Sequence, residues 1–140
     1  MRKTVVAVLM TLCLGCLGCG KGDGLDRAAV EGKVTLDGAP VQEGSITFFP
    51  TGGTEGPSAG GPIENGRYSL SGAEGPVVGR HRVEIHAPRP TGEKVPHPFD
   101  PEKMVEKVAE GAPKQYNTES TLEEELKAGK NVVDFELTSE

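Results

Sequence analysis

The feature that most limits what this chain can become is the run Glu64-Asn65-Gly66-Arg67, flanked by the apolar residues Ile63 and Tyr68. Asn and Gly both accept the positive φ that a two-residue type I′ turn demands, and that turn matches the twist of antiparallel strands. The register it imposes puts Ile63 opposite Tyr68 on one face and Glu64 opposite Arg67 on the other, pairs worth roughly 0.2–1 kcal/mol each. Turn chemistry of the same kind recurs on either side, which commits the chain to β-structure.

The flanking segments keep a period of two. Val30, Val34 and Leu36 share one face of a first strand, with Glu31, Lys33 and Thr35 on the other. Asp37-Gly38 ends it, and Ala39-Pro40-Val41 continues in extended form. Residues 45–49 form the next strand, closed by Pro50, with Ile46 and Phe48 inward and Phe49 turned outward or against another element. The Gly-rich residues 51–61 read as a loop. In residues 80–87, His81, Val83 and Ile85 face one way and Arg82, Glu84 and His86 the other. A final hairpin is expected from residues 122–126 and 133–137 around Ala128-Gly129-Lys130-Asn131, with Val133, Phe135 and Leu137 inward.

One stretch departs from this rhythm. Pro88, Pro90, Pro96, Pro98 and Pro101 make residues 88–101 an irregular, stiffened crossing. After it Asp100 can cap a short helix, with Pro101 at its first position, Gly111 as its stop and Met104, Val105 and Val108 as its apolar stripe. Residues 88–117 are therefore expected to be an insertion packed as a lid on the end of the fold, with a binding loop as the alternative.

The first 18 residues differ in kind. Arg2 and Lys3 precede an uncharged apolar run over residues 4–17. A basic start followed by roughly 7–15 apolar residues is the pattern of a secretory signal peptide, and the run is short for a membrane span of about 20 residues. All three cysteines, Cys13, Cys16 and Cys19, lie in this leader or at its end, so no cysteine remains in the body for an internal disulfide. Their C-x-x-C spacing lacks the folded surroundings of a metal or redox site. Residues 19–29, with Gly20, Gly22 and Gly24 among charges, read as a flexible tether.

Leu17-Gly18-Cys19 resembles the lipobox of bacterial lipoproteins, in which a small residue precedes the lipidated cysteine. The position three before Cys19, usually Leu in that family, is Cys16, and Leu14-Gly15-Cys16 offers a second register. Cys19 is preferred for its longer apolar run and the polar tether behind it, with Cys16 as the alternative. Several acyl chains give durable anchoring at about 0.8 kcal/mol per buried CH₂. Gly20 carries no aspartate retention signal, which points to an outer membrane, facing the periplasm or the cell surface. Cleavage before Cys19 leaves about 120 residues, enough for one domain and not two. Losing Arg2 and Lys3 takes the net charge from −6 to −8, which disfavours nucleic acid and anionic lipid as partners.

The body, residues 30–140, resembles carboxypeptidase-regulatory-like, or transthyretin-like, domains. The matching residues are Val30-Glu31-Gly32-Lys33-Val34-Thr35-Leu36-Asp37-Gly38-Ala39-Pro40-Val41, Gly44-Ser45-Ile46-Thr47-Phe48-Phe49-Pro50, Gly66-Arg67-Tyr68-Ser69-Leu70, Gly79-Arg80-His81-Arg82-Val83-Glu84-Ile85, and the Gln115-Tyr116-Asn117 to Leu122 stretch. The resemblance implies an all-β, seven-stranded antiparallel Greek-key β-sandwich of transthyretin or Ig-like kind, here with the short helix in its Pro-rich insertion. It also implies a non-catalytic accessory, adhesive or scaffolding role without a cofactor. Relatives that hydrolyse hydroxyisourate carry a C-terminal Tyr-Arg-Gly-Ser motif, and this chain ends Phe135-Glu136-Leu137-Thr138-Ser139-Glu140 without it.

Other candidate chemistry is thin. Gly56-Pro57-Ser58-Ala59-Gly60 satisfies G-x-S-x-G, but a nucleophile elbow needs a strand before the serine and a helix after it, and Gly61-Pro62 blocks the helix. His81 and His86 face opposite sides of one strand, so they cannot share a metal, and His97 lies between Pro96 and Pro98. Glu123, Glu124 and Glu125 split between faces and lack the oxygen count of a calcium loop. Glu124, on the Leu122 and Leu126 face, is the one anomaly in the pattern, which an edge strand or a sheet end would explain. Tyr116 is expected to pack or to bond the backbone through its hydroxyl. The chain is thus expected to be a lipid-anchored envelope module, with a membrane and an envelope protein or glycan as partners. The alternatives are a small-ligand or carbohydrate carrier and an exported hydrolase using Ser58 or a histidine.

Overall fold

At the middle of the chain Asn65 and Gly66 take φ of 50° and 73°, and Glu64 stands opposite Arg67, as the two-residue turn requires. The computed structural model describes residues 24–140. Among these the turn joins β4 (Ala59–Glu64) to β5 (Arg67–Leu70). The strands before it are β1 (Ala28–Leu36), β2 (Ala39–Pro40) and β3 (Glu43–Pro50). Those after it are β6 (Gly79–His86), β7 (Pro88–His97), β8 (Asp100–Glu110), β9 (Glu123–Leu126), β10 (Gly129–Val132) and β11 (Phe135–Leu137). Single 3₁₀ turns occupy Gly72–Glu74 and Lys114–Tyr116, and the described chain is otherwise all β. No helix in it is long and apolar enough to cross a membrane.

The main sheet runs in the order β10-β1-β5-β4-β3-β6-β9, with β2 and β11 also on β1, and it curls around one core. Alternation places that core as the sequence implies: Val34, Ile46, Phe48, Val83 and Ile85 are fully buried. Phe48 sits 6.2 Å from Tyr68, which lies 6.2 Å from Phe135, so three strands meet on an aromatic line. Phe49, on the other face of β3, meets the Arg82 guanidinium 4.9 Å from its ring centre.

Three expectations need correction. Ala28 and Ala29 belong to β1, two residues inside the expected tether. The final hairpin does not form either: β9 pairs antiparallel with β6, while β10 and β11 run parallel to β1. Two residues explain this. Asn131 accepts from the Lys127 amide at 3.0 Å and donates to the carbonyls of Lys127 and Ala29 at 2.8 and 3.1 Å, turning the chain onto β1. At Gly32 a Cβ would collide with the Val133 carbonyl, which instead comes close enough to accept from the Tyr68 hydroxyl at 2.8 Å.

The third correction concerns residues 88–117. The expected irregular crossing is strand β7, and the expected helix after Asp100 is strand β8. The two form a sheet of their own, with Pro90 opposite Val108, Val95 opposite Val105 and Pro96 opposite Met104. Proline is tolerated on an edge strand wherever its nitrogen points away from the neighbour, so the prolines do not break this strand. Nor is the segment a lid. Nearly every residue of residues 88–110 is exposed, and Val95, His97 and Val105 are only half-buried. It is an arm.

Candidate functional site

The arm leaves the body where β6 ends, and its root is held by one carboxylate. Glu110 closes β8, and its Oε1 accepts from the amides of Ala87 and Ala112, both at 2.9 Å. Its Oε2 meets His86 Nδ1 at 2.8 Å. Partial burial acts to raise the Glu110 carboxyl, but the two amides and the His86 ring outweigh it and hold the group below the ordinary carboxylate range. Both ends of the arm are thereby tied to the body through a single side chain.

Two open grooves flank this root. The larger, about 750 Å³, runs between the β2–β3 connection and the start of β7, lined by Ala39, Pro40, Val41, Glu43, Ala87 and Pro90 among others. The smaller, about 450 Å³, lies between Gly44, Ser45 and His86 on the body and Val108, Ala109 and Glu110 on β8. On the arm Val108, at the smaller groove, and Met104 and Phe99 beyond it are 61%, 51% and 93% exposed. The body covers most of its large apolar side chains, with Val132 on β10 at 67% exposed the main exception, and the arm covers few of its own.

The residues singled out in the sequence fall in separate places. Ser58 lines a shallow depression with Arg27, Pro57, Ala59, Gly60 and Glu74, and no histidine lines it. His81 is fully buried in the core, edge-on to Phe48 at 6.1 Å. Its Nδ1 lies 3.1 Å from the Gly79 carbonyl, its Nε2 has no partner, and burial pushes its pKa below the ordinary histidine range. His86 is at the arm's root, on the opposite face, and His97 is near the arm's tip, its Nδ1 accepting from the Phe99 amide at 3.2 Å.

Glu124 stands directly opposite His81 in the ladder, on β9 at the end of the sheet path, where its anomalous inward position is tolerated. Burial raises its carboxyl pKa. Tyr116 makes the expected backbone bond: its hydroxyl accepts from the Thr138 amide at 3.3 Å and pairs with that residue's Oγ1 at 3.2 Å. Among the described residues no three His, Cys, Asp or Glu side chains gather as metal ligands. Cys16 and Cys19 lie outside the described residues.

Sequence reasoning missed Glu110 and the exposed face of β8. The signal was present in part: Pro88 and Pro90 share one parity and so lie on one side of an edge strand, and a two-residue register shift between Pro90 and Lys94 returns Pro96 to that side.

No family model matches the chain, and no curated protein does. Among solved structures the chain is similar to a 9R-lipoxygenase from Cyanothece PCC8801, at 14% identity and a TM-score of 0.29, over 98% of this chain and 18% of that one. So low a score carries no argument about either fold or activity.

Proposed function

We propose that this chain is a lipid-tethered binding module of the cell envelope, held at the membrane through Cys19, or Cys16, and working by docking rather than by chemistry. The body serves as a rigid frame, a Greek-key sandwich of the carboxypeptidase-regulatory-like kind. The buried alternation of β1, β3 and β6, in a sheet that curls over one core, supports that reading. The observation that carries the docking role is the arm: a β-hairpin with Met104, Val108 and Phe99 in solvent, stapled at its root by Glu110. An isolated two-stranded hairpin is marginal in water, and a partner that covered its apolar face would stabilise it.

The test uses the intact lipoprotein in envelope membranes. Replacing residues 88–110 by a two-residue turn is expected to leave the far-UV spectrum all β and to abolish crosslinking to the membrane partner. Retained crosslinking after the arm is gone would overturn the role. For the anchor, labelled fatty acid is expected to enter the protein and to be lost in Cys19→Ala. Label that persists there moves the site to Cys16.

A second reading has its own observation, the groove of about 750 Å³ beside Val41 and Pro90. As a carrier the protein would take a small, largely apolar ligand or a sugar there. An environment-sensitive apolar dye should then bind and be displaced by Val41→Arg. No dye binding would remove this reading.

A further inference from the structure

In an antiparallel pair, opposed residues either both direct their N–H groups at each other or both direct them away. Proline has no N–H, so Pro88, Pro90 and Pro96 occupy the outward positions of β7. Their partners Glu110, Val108 and Met104 therefore direct their amides away from β7, and Glu106, opposite Lys94, shares their parity. Among the described residues β8 has no strand neighbour except β7. The arm thus has unlike edges. Three prolines close the outer edge of β7, whereas the outer edge of β8 carries the uncovered N–H and C=O groups of Met104, Glu106 and Val108.

That edge leads into the smaller groove, whose walls include Val108 and Glu110 on one side and Gly44, Ser45 and His86 on the other. A bare edge with no proline among its outward positions from Glu102 to Glu110 is a template for another strand, and the charges beside it select which strand. Glu102, Glu106 and Glu110 are at even positions, and Lys103 and Lys107 at odd ones. An outward amide must meet an outward amide, so a second copy of β8 would lie antiparallel with even residues opposite even ones. Every such register that overlaps more than three residues sets glutamate on glutamate or lysine on lysine, and none sets glutamate on lysine. Like charges directly opposite are destabilising, so the edge is built against pairing with itself. Lys107 is already held by Glu93 at 2.8 Å, while Glu106 makes no ion pair among the described residues.

We infer that the outer edge of β8 takes up an extended segment of another protein, one that offers a basic residue to Glu106 between apolar residues facing Met104 and Val108. This rests on the docking role proposed for the arm and names what the arm docks. Main-chain hydrogen bonds supply the affinity, and the apolar-x-basic-x-apolar pattern supplies the choice of partner.

The full-length protein in detergent micelles is titrated with acetyl-Thr-Val-Thr-Lys-Thr-Val-Thr-amide, and amide exchange is followed by NMR. The peptide is expected to slow exchange at Met104, Glu106 and Val108 and to leave Val105, which already faces β7, unchanged. Val108→Pro removes an outward N–H without touching the β7 ladder, so the arm should stay zipped while affinity falls at least about tenfold. Glu106→Lys should shift preference to the peptide with Glu in place of its Lys. Slow exchange of the same three amides without peptide, in protein that sediments as a dimer, would give the edge to a second copy. Slowing by anionic vesicles and not by peptide would give it to a lipid surface. No slowing at about 1 mM peptide, or full affinity in Val108→Pro, sinks the inference. If the arm is still needed for crosslinking to the membrane partner in that case, the docking role survives and the edge alone is wrong.

Discussion

Strands β6 and β7 are separated by one residue, Ala87, and treat their side chains in opposite ways. On β6, His81, Val83 and Ile85 are wholly buried, while on β7 no residue is buried and only Val95 and His97 are half-covered. The difference lies in the neighbours. β6 has β3 on one side and β9 on the other, within a sheet that curls over a core, whereas β7 has β8 alone. Period two suffices to make a strand, but only a second layer turns its apolar face into folding free energy. The body therefore uses most of its apolar residues on itself, Val132 aside, and the arm keeps most of its own available.

The sharpest way to break that contrast is to delete one phenylalanine from each region. Phe48→Ala empties a fully buried site against Tyr68 and His81 and should cost about 3–5 kcal/mol, a large part of a typical stability of about 5–15 kcal/mol. Phe99→Ala, at a site 93% exposed, should stay within about 0.5 kcal/mol. Urea unfolding followed by tyrosine emission gives both numbers, since the chain has no tryptophan. A cost for Phe99→Ala approaching that of Phe48→Ala would mean that the arm packs into the fold.

The join between the regions is tested next. Glu110→Ala strips the amides of Ala87 and Ala112 of their acceptor and should cost about 1–3 kcal/mol. Because the Glu110 carboxyl is held below its ordinary value of 4.5, its contribution is complete above that pH and is lost as pH falls through the lower, folded value. The wild-type protein should thus lose its advantage over Glu110→Ala under strong acid, read as converging Tm values.

His81 acts in a higher pH window and is expected to have a smaller effect. Burial holds its pKa below the ordinary 6.5, so the unfolded chain takes up the proton first, and stability falls as pH drops below about 6.5. Glu124, opposite it, works the other way: burial raises its pKa above 4.5, so protonation there favours the folded state. His81→Leu should flatten the decline of Tm between about pH 7 and 5, and Glu124→Gln should steepen it at the lower end. A slope unchanged in His81→Leu would show that the ring does not govern this window.

How much of this was legible depends on how local the determinants are. The Asn65-Gly66 turn, the inward face of β3 and β6 and the edge position of Glu124 follow from neighbours a few residues apart. The parallel return of the C-terminal strands onto β1 does not. It is set by Gly32 and Asn131, and the Asn131–Ala29 bond spans 102 positions, so no short window contains both partners. The arm is hard to read for a different reason. Asp100-Pro101 and the Met104, Val105, Val108 spacing satisfy a helix start as well as a strand, and the side on which the prolines fall, rather than their number, is what permits β7. Glu110 showed nothing of its role, because its three partners converge only once both ends of the arm are in place.

The smallest expected effects come from within the arm and separate its two faces. Val95 and Val105 stand directly opposite and half-shield each other, so Val105→Thr should weaken the hairpin by roughly 0.2–1 kcal/mol, the worth of a cross-strand pair. Met104 and Val108 lie on the other face in solvent, and Met104→Thr or Val108→Thr should change stability by less than about 0.5 kcal/mol. Hydrogen exchange at the Val105 amide, which faces β7, reads the strength of the hairpin alone, since local opening frees it without unfolding the body. Faster exchange in Val105→Thr with no change in Met104→Thr places the arm's own stability in one valine pair and leaves the opposite face free for a partner. Equal acceleration in both would mean that Met104 already supports the fold, and the contrast between the body and its arm would shrink to one of degree.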